Sequence, residues 1–280
     1  MQGRAVTMGL TMIAMLAFAG NSLLARAALM GGAIDAASFT AIRLAAGAVV
    51  LAALLRLRGE PVLRAGGWAS AAALFCYAIG FSLAYLRLGA ATGALILFAS
   101  VQVGMIGWGL WRGQRPGLQA SLGLAVAVAA FVVLLLPGLR APDPLGAALM
   151  TGAGLAWAVY SLRPGTGPAL ARTGGNFIRA TVLAAPLAGL ALAAGHADSQ
   201  GIVLALVSGG VTSGLGYAVW YQALPGLRPL QAASVQLTVP LIASLGAVSF
   251  LTETLTSRLV LCGLCLLGGV ALTILSPRNR

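Results

Sequence analysis

Ten apolar runs, each about long enough to cross a bilayer core, divide this 280-residue chain almost from end to end. They cover approximately residues 6–29, 37–56, 67–87, 91–111, 118–136, 145–162, 175–194, 201–223, 230–251 and 259–276, with short connections marked by Arg, Pro and Gly. Lipid offers the backbone no hydrogen-bond partners, so only α-helices and closed β-barrels span it. The runs lack the residue-by-residue alternation of barrel strands. The expected fold is therefore an all-α membrane protein with ten transmembrane helices. Composition agrees: 60% of residues are hydrophobic, 8% are charged, and mean hydropathy is +0.97. Soluble domains carry roughly 25% charged residues to keep their surfaces wet.

The net charge of +12 would suit a nucleic-acid binder, but its distribution does not. All 17 basic residues are arginine, placed singly or in small groups between apolar runs, where they act as topology signals. With the N-terminus cytoplasmic, that side holds Arg4, Arg56, Arg58, Arg64, Arg112, Arg115, Arg163, Arg172, Arg228, Arg278 and Arg280. The opposite side holds Arg87, Arg140 and Arg258, together with Asp35, Asp143, Asp198 and Glu253. This bias predicts a multi-pass membrane protein with both termini cytoplasmic, and a composition rich in Ala, Gly, Leu and Arg without Lys suggests a GC-rich bacterial source, hence the bacterial inner membrane. The first run lacks a small-residue cleavage site and is expected to be a retained span. Cys76, Cys262 and Cys265 all fall within apolar spans and are expected to be buried free thiols. The C-x-x-C formed by the last two lacks the histidine or second pair of a zinc site.

Internal repetition adds a topological constraint. Ala17-Phe18-Ala19-Gly20-Asn21-Ser22-Leu23 echoes Ala156-Trp157-Ala158-Val159-Tyr160-Ser161-Leu162, and Ala99-Ser100-Val101-Gln102 recurs as Ala233-Ser234-Val235-Gln236. Tyr85-Leu86-Arg87-Leu88 resembles Tyr221-Gln222-Ala223-Leu224, and all three offsets fall between 134 and 139 positions. Two repeats follow, 1–138 and 139–280, each of five spans. An odd number of spans forces the second repeat to insert upside down. Inverted repeats serve secondary transporters, which alternate access around a midplane site. Channels use them too, so transport is favoured without its mode being fixed.

Polar and aromatic side chains within lipid-spanning runs are the candidates for that site. Tyr77, Phe81 and Tyr85 recur at four-residue steps on span 3, and Tyr217 and Tyr221 do so on span 8, with Trp220 beside them. Phe98 and Gln102 share a face of span 4, while Gln236 and Pro240 share one of span 9. Phe18, Asn21 and Ser22 on span 1 are mirrored by Trp157, Tyr160 and Ser161 on span 6. The candidate binding set is Asn21, Ser22, Tyr77, Phe81, Phe98, Gln102, Trp157, Tyr160, Ser161, Tyr217, Tyr221 and Gln236. Ordinary packing competes with a cavity for each aromatic, and interhelical hydrogen bonding competes for Gln102, Gln236, Asn21 and Ser22. Tyr85, near an outer end, fits either cavity or interface; Trp68, Trp108 and Trp111 read as interfacial anchors.

Arg26, Arg43 and Arg179 lie near span ends, Arg43 the deepest, and their long side chains are expected to snorkel to the interface in structural roles, with substrate binding as the competing reading. The spacings Gly89/Gly93, Gly109/Gly113 and Gly210/Gly214 suit close helix crossings. No Asp or Glu lies deep in a span, and His196 is in an outer loop, so the usual parts of a proton relay are missing. There is no P-loop, no metal cluster and no nucleophile–base pair, so neither a cofactor nor enzyme activity is expected.

On these features the chain resembles the drug/metabolite transporter superfamily, in its EamA-like branch of paired five-helix repeats. In that branch each repeat carries a proline in its fourth helix, then a Gly-Glu-like turn and a Gly-rich fifth helix. The second half matches through Pro240, Glu253, Gly263, Gly268 and Gly269; the first departs, with Gly113-Gln114-Arg115 and no proline in span 4. Arg43 also matches a frequent family position. Within the branch the chain is most similar to YddG-type amino-acid exporters. The resemblance implies a central cavity lined by spans 3, 4, 8 and 9, with spans 1 and 6 contributing, and aromatic or hydrophobic amino acids as cargo.

The expected function is alternating-access export of amino acids or similar metabolites, from a pocket that binds weakly and broadly because it lacks a buried ionic partner. Gln102→Ala or Tyr77→Ala is expected to slow it. The expected partners are a small-molecule substrate and membrane lipid, not nucleic acid; a monomer suffices, and the oligomeric state is left open. The alternatives are a broad drug or lipid-precursor carrier, a flippase or passive channel, an enzyme acting on lipid precursors, and a purely structural protein. An enzyme would need acids or histidines clustered at one interface. Saturation and counterflow would separate a carrier from a channel.

Overall fold

The computed structural model describes residues 3–113, 116–136, 141–163, 165, 167–227, 232 and 235–275. Among them the protein is helical, with no strand and one isolated antiparallel bridge between Ile34 and Ala197. The helices are α1 (Arg4–Met30), α2 (Ala36–Leu57), α3 (Trp68–Tyr85), α4 (Ala90–Trp111), α5 (Leu118–Leu135) and α6 (Pro144–Leu162). They continue with α7 (Ala169–Leu183), α8 (Ala185–Ala194), α9 (Ser199–Val207), α10 (Gly216–Ala223), α11 (Thr238–Leu251) and α12 (Ser257–Leu275). Among the described residues eight helical stretches are long and apolar enough to cross a membrane: α1 to α6, the continuous Ser199–Gly226 stretch, and α12. A ninth is reached if α7 and α8, bent by 46° at their junction, count as one span.

Two departures from ten plain helices have local causes. Span 7 begins at Ala169, earlier than its hydrophobicity suggests, and breaks at Ala184 just before Pro186, whose ring and missing N–H interrupt the helical ladder. Span 8 is not uniformly α-helical: Ser208–Leu215 is a π-helix inserted between α9 and α10. Of span 9 the described helix is the 14-residue α11. Arg228, Ala233 and Ser234 lie outside the described residues, as do Gln114, Arg115, Arg140, Arg278 and Arg280.

Acidic side chains start the helices at one end of the bundle. Asp35 accepts the Ala37 and Ser38 N–H groups at 2.9 Å at the start of α2. Asp143 accepts Gly146 N–H at 2.7 Å in α6, and Asp198 accepts Gly201 N–H at 2.7 Å in α9. Glu253 reaches across the chain to take Ala90 N–H, at 2.9 and 3.0 Å, in the first turn of α4. The acids that biased the topology are thus N-terminal caps, satisfying orphan donors and the positive end of the helix dipole. The carboxylate of Glu253 also holds Arg26 at 3.2 Å, and Arg26 donates to Tyr85 O at 2.9 Å, which ties α1, α3, α4 and the turn after α11 together.

Packing exchanges elements between the two halves. α6 lies against α3 and α4, while α1 lies against α10, α11 and the π-helix; α2 packs on α7, and α5 on α12. Small residues let these pairs approach: Thr273 Oγ1 of α12 donates to Gly269 O and to Ala120 O of α5. Large apolar side chains such as Met12, Leu16, Val49, Leu118, Leu192, Leu245 and Phe250 face outward, which suits a lipid surround and no aqueous one. Cysteine burial differs from expectation. Cys262 is buried, but Cys76 and Cys265 sit on outward faces, because a lipid-facing thiol needs no shelter.

Candidate functional site

A cavity lies where α1, α3, α4, α6, the π-helix, α10 and the chain just before α11 converge. It is lined by Phe18, Asn21 and Ser22 of α1, Tyr77 and Phe81 of α3, Leu97, Phe98 and Val101 of α4, and Trp157 of α6. Thr212, Ser213, Tyr217 and Gln236 complete the wall. Counting its open side, the empty space is about 480 Å³.

Four-residue spacing explains most of the lining, because side chains four apart stack on one face. Tyr77 and Phe81 contact each other with ring centroids 5.4 Å apart, and Tyr77 lies 4.8 Å from Trp157. Trp157 stacks on Tyr217 at 5.3 Å with planes 21° apart, and Phe18 meets Tyr217 at 5.6 Å. The result is a continuous aromatic wall joining residues from opposite halves of the sequence. Gln236 donates to Ala232 O at 3.2 Å, one turn earlier, and lines the cavity.

Eight of the twelve candidates selected from the sequence lie together here: Asn21, Ser22, Tyr77, Phe81, Phe98, Trp157, Tyr217 and Gln236. The other four lie elsewhere. Gln102 is buried in a separate crevice between α4, α5 and α12, beside Ala127, Phe131 and Leu266. Tyr160 is buried one turn along α6, in contact with Trp157 at 5.2 Å, and Tyr221 is partly buried one turn beyond Tyr217. Ser161 is exposed on the outward side of α6. It stands about 100° round the helix from the buried Tyr160 but only about 40° from Trp157, so its spacing alone did not place it.

The polar half of the site was the harder part to foresee. Asn21 accepts from Ser208 Oγ at 2.8 Å, and its Nδ2 lies 3.4 Å from the Tyr77 hydroxyl oxygen. Arg43 does not snorkel. Only 2% of its surface is exposed, and its guanidinium points into the bundle, where Nη2 donates to the Tyr77 hydroxyl at 3.0 Å and Nε to Ser213 Oγ at 3.3 Å. It lies over the faces of Phe81 and Tyr77, at 4.7 and 5.3 Å from the ring centroids. An arginine less than two turns into α2 can reach either the membrane interface or the bundle interior; the π-helix decides between them by offering Ser213. Gly209 lacks a side chain where the backbone of Arg43 passes, and Gly47 similarly admits Phe177, so α2 and the π-helix approach closely. The clustered Gly209, Gly210 and Gly214 among Ser and Thr was the available signal. Arg26 and Arg179 also turn inward, to Glu253 and to the carbonyls of Ala65 and Gly175.

No group of three metal-ligating side chains occurs among the described residues. The site offers aromatic faces, hydroxyl and amide hydrogen bonds and one buried cation, which suits binding rather than bond-breaking chemistry.

The EamA-like transporter family model matches residues 144–275. An uncharacterized protein of Pseudomonas aeruginosa is 54% identical over 278 residues, spanning 97% of this chain and 95% of its own. A solved crystal structure aligns with a TM-score of 0.64 over 95% of this chain and 97% of its own, at 18% sequence identity. At that identity the likeness is one of fold.

Proposed function

Because the chain belongs to the EamA-like transporter family, and so to a class of small-molecule membrane transporters, we propose that it exports amino acids with aromatic or hydrophobic side chains, or metabolites like them, across the bacterial inner membrane by alternating access. The observation that carries this reading is the cavity itself: a partly apolar pocket of aromatic faces and hydrogen-bonding groups, drawn from both halves of the chain. Aromatic walls accept an apolar side chain, while Tyr77, Asn21, Ser213 and Gln236 supply directional contacts for a polar end.

The reading includes ten membrane-crossing segments in two inverted five-helix repeats, 1–138 and 139–280, with both termini in the cytoplasm. Its support is the exchange of packing partners: α6 sits on α3 and α4 as α1 sits on α10 and α11. A carrier built this way moves one repeat against the other around a midplane site. Its partners would be the cargo and the surrounding lipid, with neither cofactor nor nucleic acid.

The test is counterflow of radiolabelled phenylalanine or leucine into proteoliposomes. Saturable counterflow is expected from the wild type, and Tyr77→Ala or Gln236→Ala should slow it at least fivefold while both variants elute as the wild type does on size exclusion. Non-saturating flux would replace the carrier with a channel. Unchanged rates in both variants would move the site out of this cavity.

A further inference from the structure

Arg43 is a buried cation with no carboxylate beside it. All five acidic residues of the chain are engaged or placed elsewhere: Asp35, Asp143 and Asp198 cap helices, Glu253 holds Arg26, and Glu60 sits in the turn after α2. Two of the guanidinium nitrogens are spent on hydroxyls that line the cavity, and the third, Nη1, has no partner among the described residues. A charge kept out of water in this way is retained only where something compensates it. The aromatic faces of Phe81 and Tyr77 do so in part.

The Tyr77 hydroxyl is the link to the cavity. Its oxygen receives two donors, Arg43 Nη2 at 3.0 Å and Asn21 Nδ2 at 3.4 Å. Both lone pairs are therefore occupied, and the one thing the hydroxyl has left to offer is its proton, at the surface of the pocket. A hydroxyl polarised by a guanidinium is a strong donor, and an anionic acceptor suits it best, since charge-assisted hydrogen bonds are shorter and roughly twice as strong as neutral ones. No acid lines the pocket to meet a cationic group.

We propose that the cavity recognises its cargo by a carboxylate, bound at the Tyr77 O–H with Arg43 supplying the countercharge from behind, and that an amino group on the cargo is dispensable. This rests on the carrier reading above and sharpens it: the substrate class becomes small carboxylates with an aromatic or apolar body.

The experiment uses three probes of one shape: phenylalanine, 3-phenylpropanoate and phenethylamine. Each is measured by thermal stabilisation of the purified full-length protein and by counterflow in proteoliposomes. Phenylalanine and 3-phenylpropanoate should bind and exchange, and phenethylamine should do so at least tenfold more weakly. Tyr77→Phe keeps the ring and its packing, and should weaken both acids at least tenfold while leaving the amine as weak as before. Arg43→Gln should do the same where it folds; if it does not, Tyr77→Phe decides alone. Phenethylamine handled as well as the two acids, or acid binding within twofold of wild type in Tyr77→Phe, overturns the carboxylate assignment and leaves the carrier reading standing. No response to any of the three sinks the amino-acid reading and this assignment with it.

Discussion

Thr252 is the only non-glycine residue among the described ones with a positive φ, at 52°, and it forms the left-handed turn that closes α11. A Cβ in that conformation costs roughly 1–2 kcal/mol, and helices usually place glycine there. The strain is tolerated because the turn sets Glu253 against Ala90 and Arg26. Thr252→Gly should therefore raise stability by about 1 kcal/mol, read as a higher Tm in detergent, with transport retained. Asp35, the cap of α2, shows how such caps respond to acid. Burial alone would raise its carboxyl pKa, but hydrogen bonds from the Ser38 hydroxyl and from the Ser38, His196 and Ala37 N–H groups outweigh it and hold the group below its ordinary 3.8. A depressed carboxylate stabilises the fold fully above its unfolded value and loses that contribution as pH falls through the folded one. Asp35→Asn should thus lower Tm at neutral pH, and the gap to wild type should close below pH 3.8, the group's ordinary value. A gap that stayed constant under acid would remove the ionised cap from the account.

At the scale of elements, the π-helix decides the shape of the site. Without it Ser208, Thr212 and Ser213 would not reach Asn21 and Arg43 together, because an α-helix would turn Ser213 about 140° away from Ser208, whereas the wider turn of a π-helix keeps positions five apart on one face. Its contact with α2 depends on a bare Gly209, whose added Cβ would collide with the Arg43 backbone. Gly209→Ala is expected to destabilise the protein by about 1–3 kcal/mol, as overpacking does, and to reduce counterflow with it. Gly152→Ala on α6 is the matched control, since nothing lies within 4 Å of its would-be Cβ. That change should be neutral or stabilising by up to about 1 kcal/mol. Equal melting temperatures for the two variants would argue that the α2–π-helix contact has room to spare.

For the whole molecule, the inverted arrangement makes a claim about sidedness that chemistry can check. With Cys76, Cys262 and Cys265 replaced, Gly3→Cys should react with a membrane-impermeant maleimide only from the cytoplasmic face, and His196→Cys only from the other. Labelling of both from one side would break the topology. Much of this scale was legible in the chain, because hydrophobic length and arginine placement act locally: the expected limits of α1 to α6 and α12 fall within two residues of those observed. Helical spacing likewise collected Tyr77, Phe81, Trp157 and Tyr217 on inward faces, since a face is fixed by a rotation of about 100° per residue. Spacing could not say which inward face meets a cavity and which a neighbouring helix, so Gln102 and Tyr77 read alike although one lines a crevice behind α4 and the other the central pocket. Nor could it orient Arg43. A side chain that long reaches water or the bundle interior from the same backbone position, and only the π-helix and the Tyr77 hydroxyl, brought beside it from distant parts of the chain, settle the direction.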